Sequence, residues 1–134
     1  MPAAQVLDSH ALLALLRDEA GSEMVATILE KASQRSQPVH MTEVNYAEGQ
    51  YTIRRKDGAA AWATIAGELK AAPIEFHPVD RRLADTAADF KARFKLSLAD
   101  AFAAALAKEK KAELITGDSE FKSLEKEIKI HWLK

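Results

Sequence analysis

From its N-terminus the chain switches repeatedly between short apolar runs and longer stretches in which apolar residues return every three or four positions. Gln5-Val6-Leu7-Asp8 predicts a short buried strand almost at the start. From His10 the pattern turns helical: Leu12, Leu13, Leu15 and Leu16 cover most of a helix face before Arg17-Asp18-Glu19 and Gly21 end it. A second helix over 22–34 carries Met24, Val25, Ile28 and Leu29 at i, i+1, i+4 and i+5. Pro38-Val39-His40-Met41 predicts a strand bounded by proline. Two helices follow, Thr42 to Arg55 and Ala59 to Ala72, broken at Lys56-Asp57-Gly58, where Asp-Gly supplies the turn. Ile74 to Val79 alternates between proline flanks and predicts a strand. Arg82 to Phe94 and Leu98 to Lys111 are predicted helices, the second rich in alanine. Glu113 to Thr116 predicts a strand, Phe121 to Glu127 a short helix and Ile128 to Trp132 a closing strand. Strands interleaved with helices predict an α/β layered domain with a mostly parallel sheet. No repeat or linker divides it, so residues 1–134 read as a single domain.

Composition narrows the class. The chain is 48% hydrophobic and 29% charged, which excludes intrinsic disorder. Nineteen basic against twenty acidic residues leave a net charge of −1 and exclude a wholly basic nucleic-acid binder. Local basic runs remain, at Arg54-Arg55-Lys56, Arg81-Arg82, and Lys91, Arg93 and Lys95; on helices such runs are most often solvated faces. With no cysteine there is no disulfide, zinc knuckle or thiol chemistry. That fits a reducing cytoplasm, the expected location, and neither a membrane span nor a secretory leader is visible. Gly-x-Ser-x-Gly and the glycine-rich phosphate loops are absent. His10, His40, His77 and His131 are scattered without ligand spacing and read as structural or surface residues.

Four acids stand out by position. Asp8 ends the first strand, Glu43 opens the helix after the second, Asp100 lies in the first turn of the alanine-rich helix, and Asp118 follows Leu114-Ile115. Ligands of open α/β sheets gather outside the carboxyl ends of the strands, where all four would meet. Each also has a local reading. Asp8 and Asp118 have the position of helix N-caps, Ser97-Leu98-Ala99-Asp100 has capping-box spacing, and Glu43 suits a helix dipole. Together they pose an electrostatic problem, since two carboxylates about 5 Å apart repel by roughly 3 kcal/mol at an effective dielectric of about 20. Oxygen donors without His or Cys suit Mg²⁺ or Mn²⁺, ions that activate water against a phosphodiester.

Val6-Leu7-Asp8-Ser9, Thr42-Glu43, Leu98-Ala99-Asp100-Ala101 and Leu114-Ile115-Thr116-Gly117-Asp118-Ser119-Glu120-Phe121 together resemble the ordered motifs of PIN-domain proteins, above all the VapC-type toxin ribonucleases of toxin–antitoxin pairs. The resemblance runs from Val6 to Trp132. It implies a three-layer α/β PIN-like domain and an endoribonuclease in which Asp8, Glu43, Asp100 and Asp118 serve Mg²⁺ or Mn²⁺. Asp8 and Asp100 would be the direct ligands, with RNA as the substrate. It also implies a cognate small antitoxin and a homodimer. The competing reading is a PIN-fold RNA- or protein-binding module without turnover. His10 stands where the family often has a small polar residue. Ser9 and Thr116 are positioned to hydrogen-bond the acids beside them, and Trp62, Tyr46 and Tyr51 read as packing residues.

Overall fold

The computed structural model describes residues 3–134. Five strands run β1 (Gln5–Leu7), β2 (Val39–Thr42), β3 (Ile74–His77), β4 (Glu113–Thr116) and β5 (Lys129–Trp132). Six helices connect them: α1 (Ser9–Leu16), α2 (Ser22–Gln34), α3 (Glu43–Asp57), α4 (Ala59–Ala71), α5 (Arg81–Arg93) and α6 (Leu98–Lys110). All strand pairs are parallel and their order is β3-β2-β1-β4-β5. The chain builds outward from β1 to β2 and β3, then returns to place β4 on the other side of β1. Connections therefore diverge between β1 and β4, and that divergence opens a crevice at the carboxyl ends of these strands.

Alternation along the strands sorts the core into two layers. Val6 and Leu114 face α5 and α6, whereas Leu7, Ile115, Val39 and Met41 face α1 to α4. The result is the three-layer α/β arrangement expected from the sequence. Helix α6 is the deepest element. Ala101, Ala103, Ala104, Ala105 and Ala107 are all buried, and side chains this small let the helix lie close on the sheet while α5 packs over it. On the opposite face Leu12 of α1 approaches Gly49 of α3 so closely that a Cβ there would sit 3.0 Å from Leu Cδ2. Tyr46 packs edge-on against both Trp62 and Phe76, the packing role expected of Tyr46 and Trp62.

Two predicted elements change shape. The strand expected to reach Val79 stops at His77, because Pro78 has no N–H for the ladder. The short helix expected over 121–127 is a 3₁₀ turn at Ser119–Leu124. Its start is tightened by Asp118, whose carboxylate accepts from the Glu120 N–H two residues on. Among the described residues no helix is long and apolar enough to cross a membrane.

Candidate functional site

The end of β1 delivers Asp8 directly into the crevice, fully buried. Asp8 is the N-cap of α1, its Oδ1 accepting from the Ala11 N–H at 2.8 Å. Its other oxygen, Oδ2, accepts from the Thr116 hydroxyl at the end of the neighbouring strand β4. The same hydroxyl oxygen accepts from the Asp118 N–H at 3.0 Å, so Thr116 ties the two acid-bearing strand ends together. The cap and the pocket are thus two uses of one carboxylate.

Asp100 enters from α6 and is 5% exposed. Ser97 caps that helix, accepting from the Asp100 N–H at 3.1 Å, so the Asp100 side chain is left for the crevice. There it meets Asp118 and Glu120 across the opening after β4. One carboxylate oxygen from each of Asp100, Asp118 and Glu120 lies within 4.8 Å of the others. Asn45 of α3 supports this corner by donating to the Ala99 carbonyl at 3.1 Å.

Burial and like charge both act on these groups. Burial, above all, pushes Asp8 up to about 7, against the hydrogen bonds from Thr116 and Ala11; the charges of Asp118 and Glu48 push it further. Asp100 is pushed up to about 8, first by burial, then by its hydrogen bond with Asp118 and that residue's charge, with Glu120 and Asp8 adding to it. Among the described residues no Lys, Arg or His is ion-paired with Asp8, Glu48, Asp100, Asp118 or Glu120. Five carboxyl groups without a cationic partner, oxygen donors only, are a donor set that fits a hard divalent cation.

The structure separates one expected residue from the rest. Glu43 is exposed and lines a groove of about 340 Å³ with Tyr46, Leu69, Lys70 and Phe76. Glu48, just over one turn further along α3, instead reaches the crevice, where it accepts a hydrogen bond from the Ser9 hydroxyl and acts on Asp8. Ser9 therefore serves Glu48 rather than the adjacent Asp8. Glu48 and Glu120 were not singled out from the sequence. A signal for Glu48 existed: Asn45, Glu48, Gly49 and Thr52 fall at i, i+3, i+4 and i+7, the turned-in face of α3.

Around the site the expected basic runs divide. Arg93 is held by Asp89 and Glu127, and Lys91 donates to the Leu96 carbonyl at 2.7 Å. Arg55 instead lies 5.1 Å over the ring of Tyr51, which is 48% exposed and so is not the packing residue expected from the sequence. His10 is exposed beside Gly117, against which its ring packs closely. His40 and His77, expected to be scattered, face each other 2.8 Å apart.

Comparison with known proteins agrees with this architecture. The chain is similar to the solved structure of VapBC2 from Rickettsia felis bound to a DNA fragment from their promoter. The TM-score is 0.78 and the identity 12%, over 98% of this chain and 99% of that one. FitAcB from Neisseria gonorrhoeae gives a TM-score of 0.71 and 18% identity over 94% and 95% of the two chains. VapC20 of Mycobacterium tuberculosis, a toxin that cleaves the sarcin–ricin loop, gives 0.69 and 19% over 90% and 95%. Against the curated proteins the sequence has no match. The family model described as the PIN domain matches residues 6–127, nearly the whole chain, and with the crevice acids in view the conclusion is direct: this chain belongs to the PIN-domain family.

Proposed function

We propose that the chain is a metal-dependent endoribonuclease of the VapC toxin type, acting on RNA phosphodiester bonds with water as the nucleophile. The observation that carries this reading is the convergence of acids without a basic partner on one crevice, in which burial and mutual repulsion push Asp8 up to about 7 and Asp100 up to about 8. Asp8, Asp100 and Asp118 are the proposed metal ligands, with Glu120 and Glu48 completing or orienting the shell and Glu43 outside it. Mg²⁺ or Mn²⁺ bound there would supply Lewis-acid stabilisation of a phosphate under attack and a more acidic water.

The protein's own residues do the rest. Thr116 holds Asp8 and the Asp118 backbone in fixed relation, so the carboxylates need little rearrangement when a cation replaces their protons. Ser9 fixes Glu48 at the crevice wall. Farther along α3, Tyr51 and Arg55 continue the line of Glu48 at i+3 and i+7 and offer an exposed ring and a cation to an RNA strand leaving the acids. The similar structures from Rickettsia felis and Salmonella typhimurium are VapBC assemblies bound to DNA, which supports a small antitoxin as the partner; the homodimer is part of the proposal through the family resemblance alone.

The test is cleavage of a panel of structured and single-stranded RNAs by purified protein. Scission with Mg²⁺ or Mn²⁺ that EDTA abolishes is expected, together with growth arrest on expression and rescue by a co-purifying small protein encoded beside it. Absence of cleavage with either ion, in protein of native circular dichroism, would overturn the enzyme reading in favour of a binding module.

A further inference from the structure

Strands β2 and β3 pair in parallel with His40 opposite Glu75 and Thr42 opposite His77. Alternation puts Glu75 and His77 on one face of β3, and the register brings His40 alongside them. Val6, the partner of His40 on β1, packs in the α6 layer, so the trio stands on the α6 side of the sheet at its outer edge. His40 Nδ1 is 2.8 Å from His77 Nε2 and 3.0 Å from Glu75 Oε2, and the third edge is 3.4 Å. The imidazoles are largely covered, with 15% and 19% of their side-chain surface exposed, while Glu75 at 54% borders solvent.

These edges have a chemical meaning. A tetrahedral ion with bonds of about 2.0–2.1 Å separates its ligand atoms by about 3.3 Å; the 3.4 Å side matches that, and the 3.0 and 2.8 Å sides would open by up to about half an ångström. Two imidazole nitrogens and one carboxylate oxygen are also the donor set of borderline ions, not of the hard cations that suit the acid crevice. We propose that His40 Nδ1, His77 Nε2 and Glu75 Oε2 bind a divalent transition ion of the zinc class at the outer edge of the sheet, with a fourth position open to water. The proposal is independent of the nuclease reading, because it uses none of the crevice acids.

Without an ion, two ring nitrogens compete for few protons beside one carboxylate. Burial holds His40 below the usual imidazole range, and His77 and Lys110 act the same way against the pull of Glu75. At 2.8 Å one N–H must lie between the two ring nitrogens, so an ion that takes both lone pairs displaces that single proton. Residues 40 and 77 bracket α3 and α4, so an ion between them would close that segment and fasten edge strand β3 to the sheet.

The experiment uses full-length protein stripped with EDTA and dialysed, then titrated with Zn²⁺ by calorimetry and with Co²⁺ by visible absorption. Wild type is expected to bind one Zn²⁺ beyond any that the acid crevice takes, a component that Asp100→Asn leaves in place, and to give the intense d–d bands of tetrahedral Co²⁺. His40→Ala and His77→Ala should each weaken Zn²⁺ by at least about tenfold and erase those bands, in line with the loss of a ligand or its support. Zn²⁺ should also raise the melting temperature of wild type but not of the variants. Since truncating a covered ring can loosen the edge strand, His77→Gln is run beside them; it keeps bulk and polarity while removing the ligating ring. That component and its tetrahedral Co²⁺ bands surviving in His77→Gln, disappearing in Asp100→Asn, or being absent from wild type would each overturn the proposal.

Discussion

The acid crevice and the histidine edge are shifted in opposite directions by one cause. Burial drives each buried group toward its neutral form, so Asp8 and Asp100 gain protons while His40 loses one. The consequence for a cation differs. At the crevice a cation must displace protons and in return relieves repulsion among carboxylates. At the edge a single carboxylate stands beside the two rings, so no crowd of charges awaits relief and a cation has only the proton shared between the rings to displace. A site can therefore be prepared for a metal either by crowding like charges or by drying an imidazole, and this sheet carries both preparations.

The largest effect should come from removing a crevice charge. Asp100→Asn is expected to lower RNA cleavage on the order of 1000-fold, the scale of a lost preorganised charge at a reacting phosphate, with the fold retained by circular dichroism. Cleavage within error of wild type would take Asp100 out of the chemistry and leave it as a helix-start residue.

A second measurement separates charge crowding from simple packing. In chelator, the folded state keeps a proton on Asp8 up to about pH 7, whereas the unfolded chain loses it near 3.8. Folded protein then binds more protons than unfolded protein across that window, so the Asp8 contribution to stability falls as pH rises from about 4 to 8. Every tenfold difference in proton affinity between the two states is worth roughly 1.4 kcal/mol. Asp8→Asn should therefore gain in melting temperature over wild type progressively across that window, and a pH-independent difference would refute the raised carboxyl.

The two glutamates of α3 provide an internal contrast. Glu48→Gln is expected to reduce cleavage about 10- to 100-fold, as loss of a supporting group at a metal site does. Glu43→Gln, at an exposed position, should stay within about twofold, the effect of an ordinary surface change. Equal losses would mean that both reach the working crevice.

The smallest effect concerns the rim. A Cβ at Gly117 would lie 2.5 Å from His10 Cε1, so Gly117→Ala must swing that exposed ring aside. The cost should be about 1 kcal/mol, the scale of an off-rotamer side chain, and His10→Ala should restore the melting temperature.

Much of this was readable before the fold. The apolar period of α2 and the alternation of β3 mark their elements, because burial on one face imposes those periods directly, while α6, buried all round, shows as an alanine-rich run. The acids at the ends of β1 and β4 were visible for the same reason: strand ends in an α/β chain can be counted along the sequence. Glu48 was not seen, because Glu43 satisfied a local rule for first-turn acids while the rotation of α3 decides which glutamate turns inward. The His40–His77 pairing was hidden more deeply. Parallel strands joined through two helices have a register that no short-range pattern encodes, and the two-residue spacing of Glu75 and His77 was its only trace.

The Thr116 hydroxyl has one hydrogen, and the Asp118 N–H already occupies one of its lone pairs. Its hydrogen is committed to Asp8 Oδ2, while Oδ1 is committed to Ala11, so both inner lone pairs of that carboxylate are taken. A proton or a cation on Asp8 must therefore use a lone pair that these two bonds leave over. The two bonds work like a pair of hinge pins: each carboxylate oxygen is held from its own side, so one positive species can replace another on Asp8 without the side chain having to turn.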